Sequence, residues 1–357
     1  MTRVKMVEDN NPSAIVIGRG NDRVAINFKP NQLGQLQTGL LSSILIELGD
    51  IEVEIRRSKK ALETRSKSLN HRLNELGKSK KNGEKSKPVQ AHWDYSSLFG
   101  PNMWSRIFPD LKDRKFQSPI RIYTEQAEYE PILTRYPLIF DTVDDCCQTL
   151  ENTGHTFQVS GTGHTYITGG PVLDEFQFLQ FHMHWGANEH EGSEHVIDDV
   201  RSVAELHIVT WNTTQFSTPQ EAAISDQFDG LLVFAVLFNV VPIDNPTLEQ
   251  LIELLPQIAH KGQKITLDSN VVSLRNFMPK NMEDYYTYSG SLTTPMCYES
   301  VRWVIYRERM NISRKQLNQL RKLRHTCASD KAVNGCIKKN FRPLMPINGR
   351  RIFRSFR

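Results

Sequence analysis

Cysteine is scarce in this chain. Five residues among 357, at positions 146, 147, 297, 327 and 336, form an odd set with no C-x-x-C pair. Such usage points to reduced thiols and a cytoplasmic protein. No run of ~18 apolar residues exists, so no transmembrane helix is expected. Residues 1–11 mix charged and polar side chains without the apolar stretch of a signal peptide. The last residues carry neither a prenylation box nor a hydrophobic tail. A dominant charge is missing too: Lys and Arg number 44 and Asp and Glu 40, a formal net charge of +4. With 39% hydrophobic and 24% charged residues, the composition is that of a globular protein and not of a disordered one.

The charge is unevenly spread. Residues 1–90 hold 17 basic and 10 acidic residues, which leaves 27 and 30 for residues 91–357. Within the first segment, residues 56–87 carry 12 basic and 3 acidic side chains. No aromatic residue is interleaved with these charges, so a stacking platform for nucleic acid is not expected. The pattern fits a solvated extension, with binding to nucleic acid or an anionic membrane surface as the alternative.

Residues 14–28 read as a short hairpin, with two β-branched stretches flanking the turn cluster Gly18-Arg19-Gly20-Asn21-Asp22. From 33 to 77 the pattern turns helical. Leu41, Leu48, Ile55, Leu62, Leu69 and Leu76 recur every seven residues, and Ile44 and Ile51 fill a second seam that Ser58, Arg65 and Arg72 then interrupt. A coiled coil or helical hairpin and a single amphipathic helix on another domain fit equally. The alternation of Ile51, Val53 and Ile55 also admits a strand. The seam offers self-association through residues 33–77. Residues 78–90 are polar and charged, a linker by composition. The organisation expected is therefore an extension over 1–77, a linker over 78–90 and a domain over 91–357. Beyond the linker, short apolar stretches punctuated by Pro and Gly indicate a β-rich domain.

The most informative segment is Phe176-Gln177-Phe178-Leu179-Gln180-Phe181-His182-Met183-His184-Trp185-Gly186. In a strand, Gln180, His182 and His184 share one face, because side chains repeat every second residue. In a second strand, Ala204 to Trp211, the residues Glu205, His207 and Val209 share a face. If the two strands lie close in one sheet, three imidazoles surround one point. Three neutral nitrogens with an open fourth position suit catalytic zinc. Gln180 and Glu205 stand two residues from His182 and His207, where they can accept the second N–H of each ring. A pair of histidines at this spacing alone is weak evidence; the third on a matching strand strengthens it.

These motifs resemble the zinc-binding core of the α-class carbonic anhydrases. The resemblance covers nearly all of residues 91–357 and includes His92-Trp93-x-Tyr95, Gln117-Ser118-Pro119-Ile120, Gly154-His155-x-Phe157, Gly192-Ser193-Glu194-His195, Ser289-Gly290-Ser291-Leu292-Thr293-Thr294-Pro295 and Asn340-Phe341-Arg342-Pro343. It implies a large, mostly antiparallel, twisted central sheet with peripheral helices. It also implies reversible hydration of carbon dioxide to bicarbonate and a proton, by attack of a zinc-bound hydroxide. Weak esterase activity on activated esters would follow from the same nucleophile.

Residue by residue, the resemblance makes His182, His184 and His207 the zinc ligands. Gln180, Glu205 and the Asn340 carbonyl become their outer partners. Thr293 matches the hydroxyl that orients the nucleophile, and Glu194 the carboxylate that holds that hydroxyl. Thr294 lines the polar side of the cavity. Val209, Val233, Leu292, Val301 and Trp303 match the apolar wall for carbon dioxide. His155 matches the proton shuttle, and Tyr95 a residue supporting the water chain. Departures occur at Thr153, Gln158 and Thr210, expected to alter the polar side of the cavity, and at Met296 and Phe341. Cys297 lies where extracellular members place half of a disulfide, but residues 108–116 contain no cysteine to pair with it. The competing reading is a catalytically idle binding module of the same fold, tethered by its extension. The intact histidine set favours the enzyme.

Overall fold

The computed structural model describes residues 14–19, 22–27, 92–141, 146–161, 165–268, 271–330 and 335–357. The chain divides into two compact units, Met1–Pro88 and Val89–Arg357. In the first, strands Ala14–Arg19 and Asp22–Asn27 pair antiparallel with Ala14 opposite Asn27 and Arg19 opposite Asp22. The heptad seam of 33–77 and the linker of 78–90 lie outside the described residues.

The second unit is built on a thirteen-stranded sheet. Ten strands follow one path: Lys264–Thr266, Cys147–Asn152, Phe157–Gly161, Phe176–Trp185, Ala204–Asn212, Leu231–Val241, Val301–Tyr306, Tyr285–Gly290, Phe353–Arg354 and Glu128–Tyr129. Most neighbours run antiparallel. Val301–Tyr306 and Met310–Ser313 pair parallel with Leu231–Val241, as Phe353–Arg354 does with Glu128–Tyr129. This is the mainly β architecture that the residues imply.

Leu231–Val241 is apolar almost throughout, because both of its faces are covered. Its residues divide by parity. Leu232, Phe234, Val236 and Phe238 enter a large cluster with Phe181, Met183, Leu206 and Ile208. Leu231, Val233, Ala235 and Leu237 enter a second cluster with Val209, Val301, Trp303 and Tyr288. The sheet therefore separates two cores, and the histidines belong to the face of the second.

Short helices sit around this sheet, and their sequences start them. Thr218 and Asn245 accept backbone N–H groups at the heads of Pro219–Ile224 and Pro246–Leu254. Ser313 and Gln316 form a reciprocal capping box on Arg314–Leu320. No described helix is long and apolar enough to cross a membrane.

Gly192 shows how the sequence places the site loop. Its φ is +147°, and a Cβ there would lie 1.8 Å from the Val203 carbonyl oxygen. Only glycine allows the chain to pass this close to its neighbour and deliver Ser193 and Glu194.

Candidate metal centre

Register brings the histidines together. Strand Phe176–Trp185 pairs antiparallel with Ala204–Asn212, with His182 opposite His207 and His184 opposite Glu205. Directly opposed residues share a face, so Gln180, His182, His184, Glu205, His207 and Val209 all project from one side of the sheet. The ligand atoms of His182, His184 and His207 lie within 4.8 Å of one another.

Each ring is held from behind by an acceptor. His182 Nδ1 lies 2.9 Å from Gln180 Oε1. His184 Nδ1 lies 2.7 Å from the Asn340 carbonyl oxygen. His207 Nε2 lies 2.7 Å from Glu205 Oε1. An amide oxygen, a carbonyl and a carboxylate can only accept, so each of these nitrogens donates a proton. The remaining nitrogens, Nε2 of His182 and His184 and Nδ1 of His207, therefore present lone pairs inward. Burial, and then the neighbouring His184 and His207, hold the His182 imidazole well below its ordinary pKa. Burial likewise lowers His184, against the opposing pull of Glu194. Neutral rings with inward lone pairs are what a divalent cation needs.

Two buried atoms are left without partners at this point: His184 Nε2 and Glu194 Oε2. They lie 3.5 Å apart, and Glu194 Oε2 is 3.9 Å from His207 Nδ1. An imidazole nitrogen without a partner, beside two others, fits a cation-binding donor set. Glu194 is fixed through its other oxygen, which accepts the Arg342 backbone N–H at 2.8 Å. Thr293 is buried, but its hydroxyl makes no hydrogen bond to Glu194 in this structure.

Val209, Val233, Val301 and Trp303 are buried in one cluster, and Leu292 packs against it half-buried. Trp303 lies edge-on to both His207 and His195, with ring centroids 4.8 Å away in each case. On the other side, Gln158 stands opposite His182 and Ser160 opposite Gln180, so the wall is apolar on one flank and polar on the other. Thr294 is half-buried. Thr210 does not contribute to the polar side. Alternation turns it to the opposite face, where its hydroxyl donates to the Leu232 carbonyl at 2.8 Å.

His155 and Tyr95 sit together at a pocket of about 200 Å³ that Asp94, His325 and Lys339 also line. The His155 ring is stacked on Trp93, 3.9 Å away and within 5° of parallel. Its Nδ1 is enclosed without a partner. Burial, assisted by Lys261, lowers its pKa to about 4. The Tyr95 hydroxyl is raised well above its ordinary value by burial and by Glu194.

Two contributions escaped the sequence reading. His195 donates its backbone N–H to Glu205 Oε2 at 2.7 Å, while its Nδ1 lies 2.7 Å from Glu205 Oε1. Its Nε2 continues to Tyr288 Oη at 2.8 Å, and Tyr288 to Ser118 Oγ at 2.7 Å. Ser118 in turn accepts the Ser291 backbone N–H, two residues before Thr293. Asn340 also does more than offer its carbonyl. Its side chain accepts from Trp185 N and donates to the carbonyls of Met183 and His155. The adjacency of Glu194 to His195 was the one available signal, because partners so distant in sequence leave no spacing to read.

Titration in this site carries a prediction. His182 and His184 have lowered pKa values, so below about 6.5 the unfolded chain binds more protons than the fold. Stability of the metal-free protein therefore falls as pH drops through that range. Glu205 adds a second loss further down. Burial would raise its carboxyl, but His195 and then His207 hold it well below the usual carboxylate range. Its contribution is present above about 4.3 and disappears as pH falls through its folded value. Urea unfolding of the chelated protein should show a lower midpoint at pH 5 than at pH 7.5.

Fold and site together define a β-sheet protein in which three imidazole nitrogens that could hold a metal ion converge beside an apolar cluster. The comparison with known proteins is specific. A family model for eukaryotic-type carbonic anhydrases matches residues 99–356, and the chain belongs to that family. It is 36% identical over 271 residues to carbonic anhydrase 1 of Mus musculus, covering 75% of this chain and 100% of that protein. It is 35% identical over 269 residues to carbonic anhydrase 1 of Monodelphis domestica, covering 74% and 98%. The family is zinc-dependent, and membership supports carbon dioxide hydration as the general chemistry.

Proposed function

We propose that the protein catalyses reversible hydration of carbon dioxide to bicarbonate and a proton, with zinc held by His182, His184 and His207. The observation that carries this reading is the inward lone pair on all three rings, set by acceptors behind each of them. When bound, zinc lowers the pKa of a coordinated water towards neutrality, a behaviour for which carbonic anhydrase is itself the reference case. The chain's own residues do the rest. Val209, Val233, Leu292, Val301 and Trp303 offer a neutral, linear substrate a surface without competing hydrogen bonds, and a charged product has no reason to stay there. Thr293, with Glu194 Oε2 open to receive its proton, orients the attacking oxygen. Thr294, Gln158 and Ser160 keep the opposite flank polar. Activated esters are expected as slow secondary substrates.

Stopped-flow hydration assays on the purified chain, with zinc content measured alongside, test this. Activity that disappears with chelator and returns with zinc is the expected result; a zinc-loaded protein with no activity above the uncatalysed rate overturns it.

His155 exports the proton in this scheme only when its ring leaves Trp93, since an acceptor of pKa about 4 is nearly always empty at neutral pH. Replacing it with alanine should lower kcat at pH 7 by less than about 10-fold, below the ~10²–10⁴ of a well-tuned proton-transfer group. Turnover of both proteins should rise with imidazole buffer concentration. We also propose self-association through residues 33–77, which sedimentation of the full chain against residues 91–357 checks; equal monomeric behaviour removes it.

A further inference from the structure

All five cysteines are free, but two of them are not alone. Cys146 and Cys147 are adjacent in sequence, 2% and 5% exposed, and belong to the same apolar cluster. Neighbours in a regular strand point to opposite faces. Here the pleat is broken. Cys147 opens the strand Cys147–Asn152, Cys146 lies outside it, and the pairing register shifts between Cys147 and Thr149. The result is that both thiols turn the same way, with their sulfurs 3.8 Å apart. Gly161 stands opposite Cys147, and a Cβ there would fall 1.5 Å from the Cys146 carbonyl oxygen. The backbone is thus brought close enough to seat this pair.

We infer that Cys146 and Cys147 form a reversible oxidation site for hydroperoxides, closing a disulfide between their sulfurs. The contact between the two thiols lowers the pKa of one of them against the opposing effect of burial, while the other stays protonated. The thiolate attacks one peroxide oxygen and breaks the O–O bond, giving a sulfenic acid and, after protonation, water or an alcohol. The second thiol gives up its proton and attacks the sulfenic sulfur, and the hydroxyl leaves as water. The balance is two thiols and one hydroperoxide to one disulfide, one alcohol or water, and one water. Adjacent α-carbons are ~3.8 Å apart across a trans peptide, below the ~4.4–6.8 Å usual for a disulfide. The bond formed is consequently strained and easily reduced, a transient mark and not a structural bridge.

The other thiols provide internal controls. Cys297 is buried against Trp104 and Leu111, and burial pushes its pKa up to about 11. Cys327 is exposed. The full chain is treated with one to five equivalents of hydrogen peroxide, denatured, alkylated with maleimide and mapped by mass spectrometry. The peptide holding 146 and 147 should lose two hydrogens and refuse maleimide, at least 10-fold faster than Cys297 is modified. Dithiothreitol should restore both alkylation sites. In one of the variants Cys146→Ser and Cys147→Ser, the remaining thiol should be trapped by dimedone as the sulfenic acid. The inference is overturned if both residues remain alkylatable while Cys327 is oxidised, or if the wild-type pair accumulates dimedone adduct without the disulfide.

Discussion

Replacing His207 with alanine should abolish carbon dioxide hydration. The remaining pair, His182 and His184, comes from a single strand, so the cation would lose its only ligand from the neighbouring strand. Losing an outer partner of a ligand costs ~10–100-fold in metal affinity, and losing the ligand itself must cost more. Zinc per chain should fall from about one to a small fraction under conditions that saturate the wild type. Folding should be spared, because the larger apolar cluster lies on the other face of the sheet. Atomic absorption on dialysed protein, with circular dichroism as the folding control, separates loss of metal from loss of fold. Full zinc occupancy and wild-type turnover in the variant would mean that the three-histidine reading is wrong.

Glu205→Ala should damage both metal binding and stability. The carboxylate is fully buried and accepts three hydrogen bonds, from His207 Nε2, His195 Nδ1 and the His195 backbone N–H, each at 2.7 Å. Removing it strands three donors away from water. Breaking a buried charged pair on one side costs ~3–5 kcal/mol, and that loss should appear in urea unfolding. Zinc affinity should drop ~10–100-fold, because His207 would no longer be held in the tautomer that points its lone pair inward. Glu205→Gln should lose less stability but leave its amide N–H₂ facing a donor, since His195 and His207 both approach as N–H. Competition with a chromophoric chelator reads the affinity, and the two variants should rank Gln above Ala.

The site was legible where geometry is local. Period-two alternation put Gln180, His182 and His184 on one face, and the pairing of His182 with His207 completed the set. The β-rich class followed from short apolar runs, and the all-apolar segment 231–241 is a strand covered on both sides. What the sequence did not show depends on contacts between distant segments. The line from Glu205 through His195 and Tyr288 to Ser118 and Ser291 joins positions up to 173 residues apart. The lowered basicity of His155 comes from burial and then from Lys261, and neither is encoded at positions 153–158. Thr210 was assigned to the cavity through the family resemblance, although alternation already turned it away.

The division of the sheet into two cores also separates what holds the histidine strands from what aims their rings. Phe181, Met183, Leu206 and Ile208 anchor the two strands from behind, on the face away from the imidazoles. The imidazoles are oriented by Gln180, Asn340 and Glu205. The apolar packing of the far face can therefore vary in sequence without disturbing the acceptors that set the three tautomers, and the two halves of the sheet are free to drift independently.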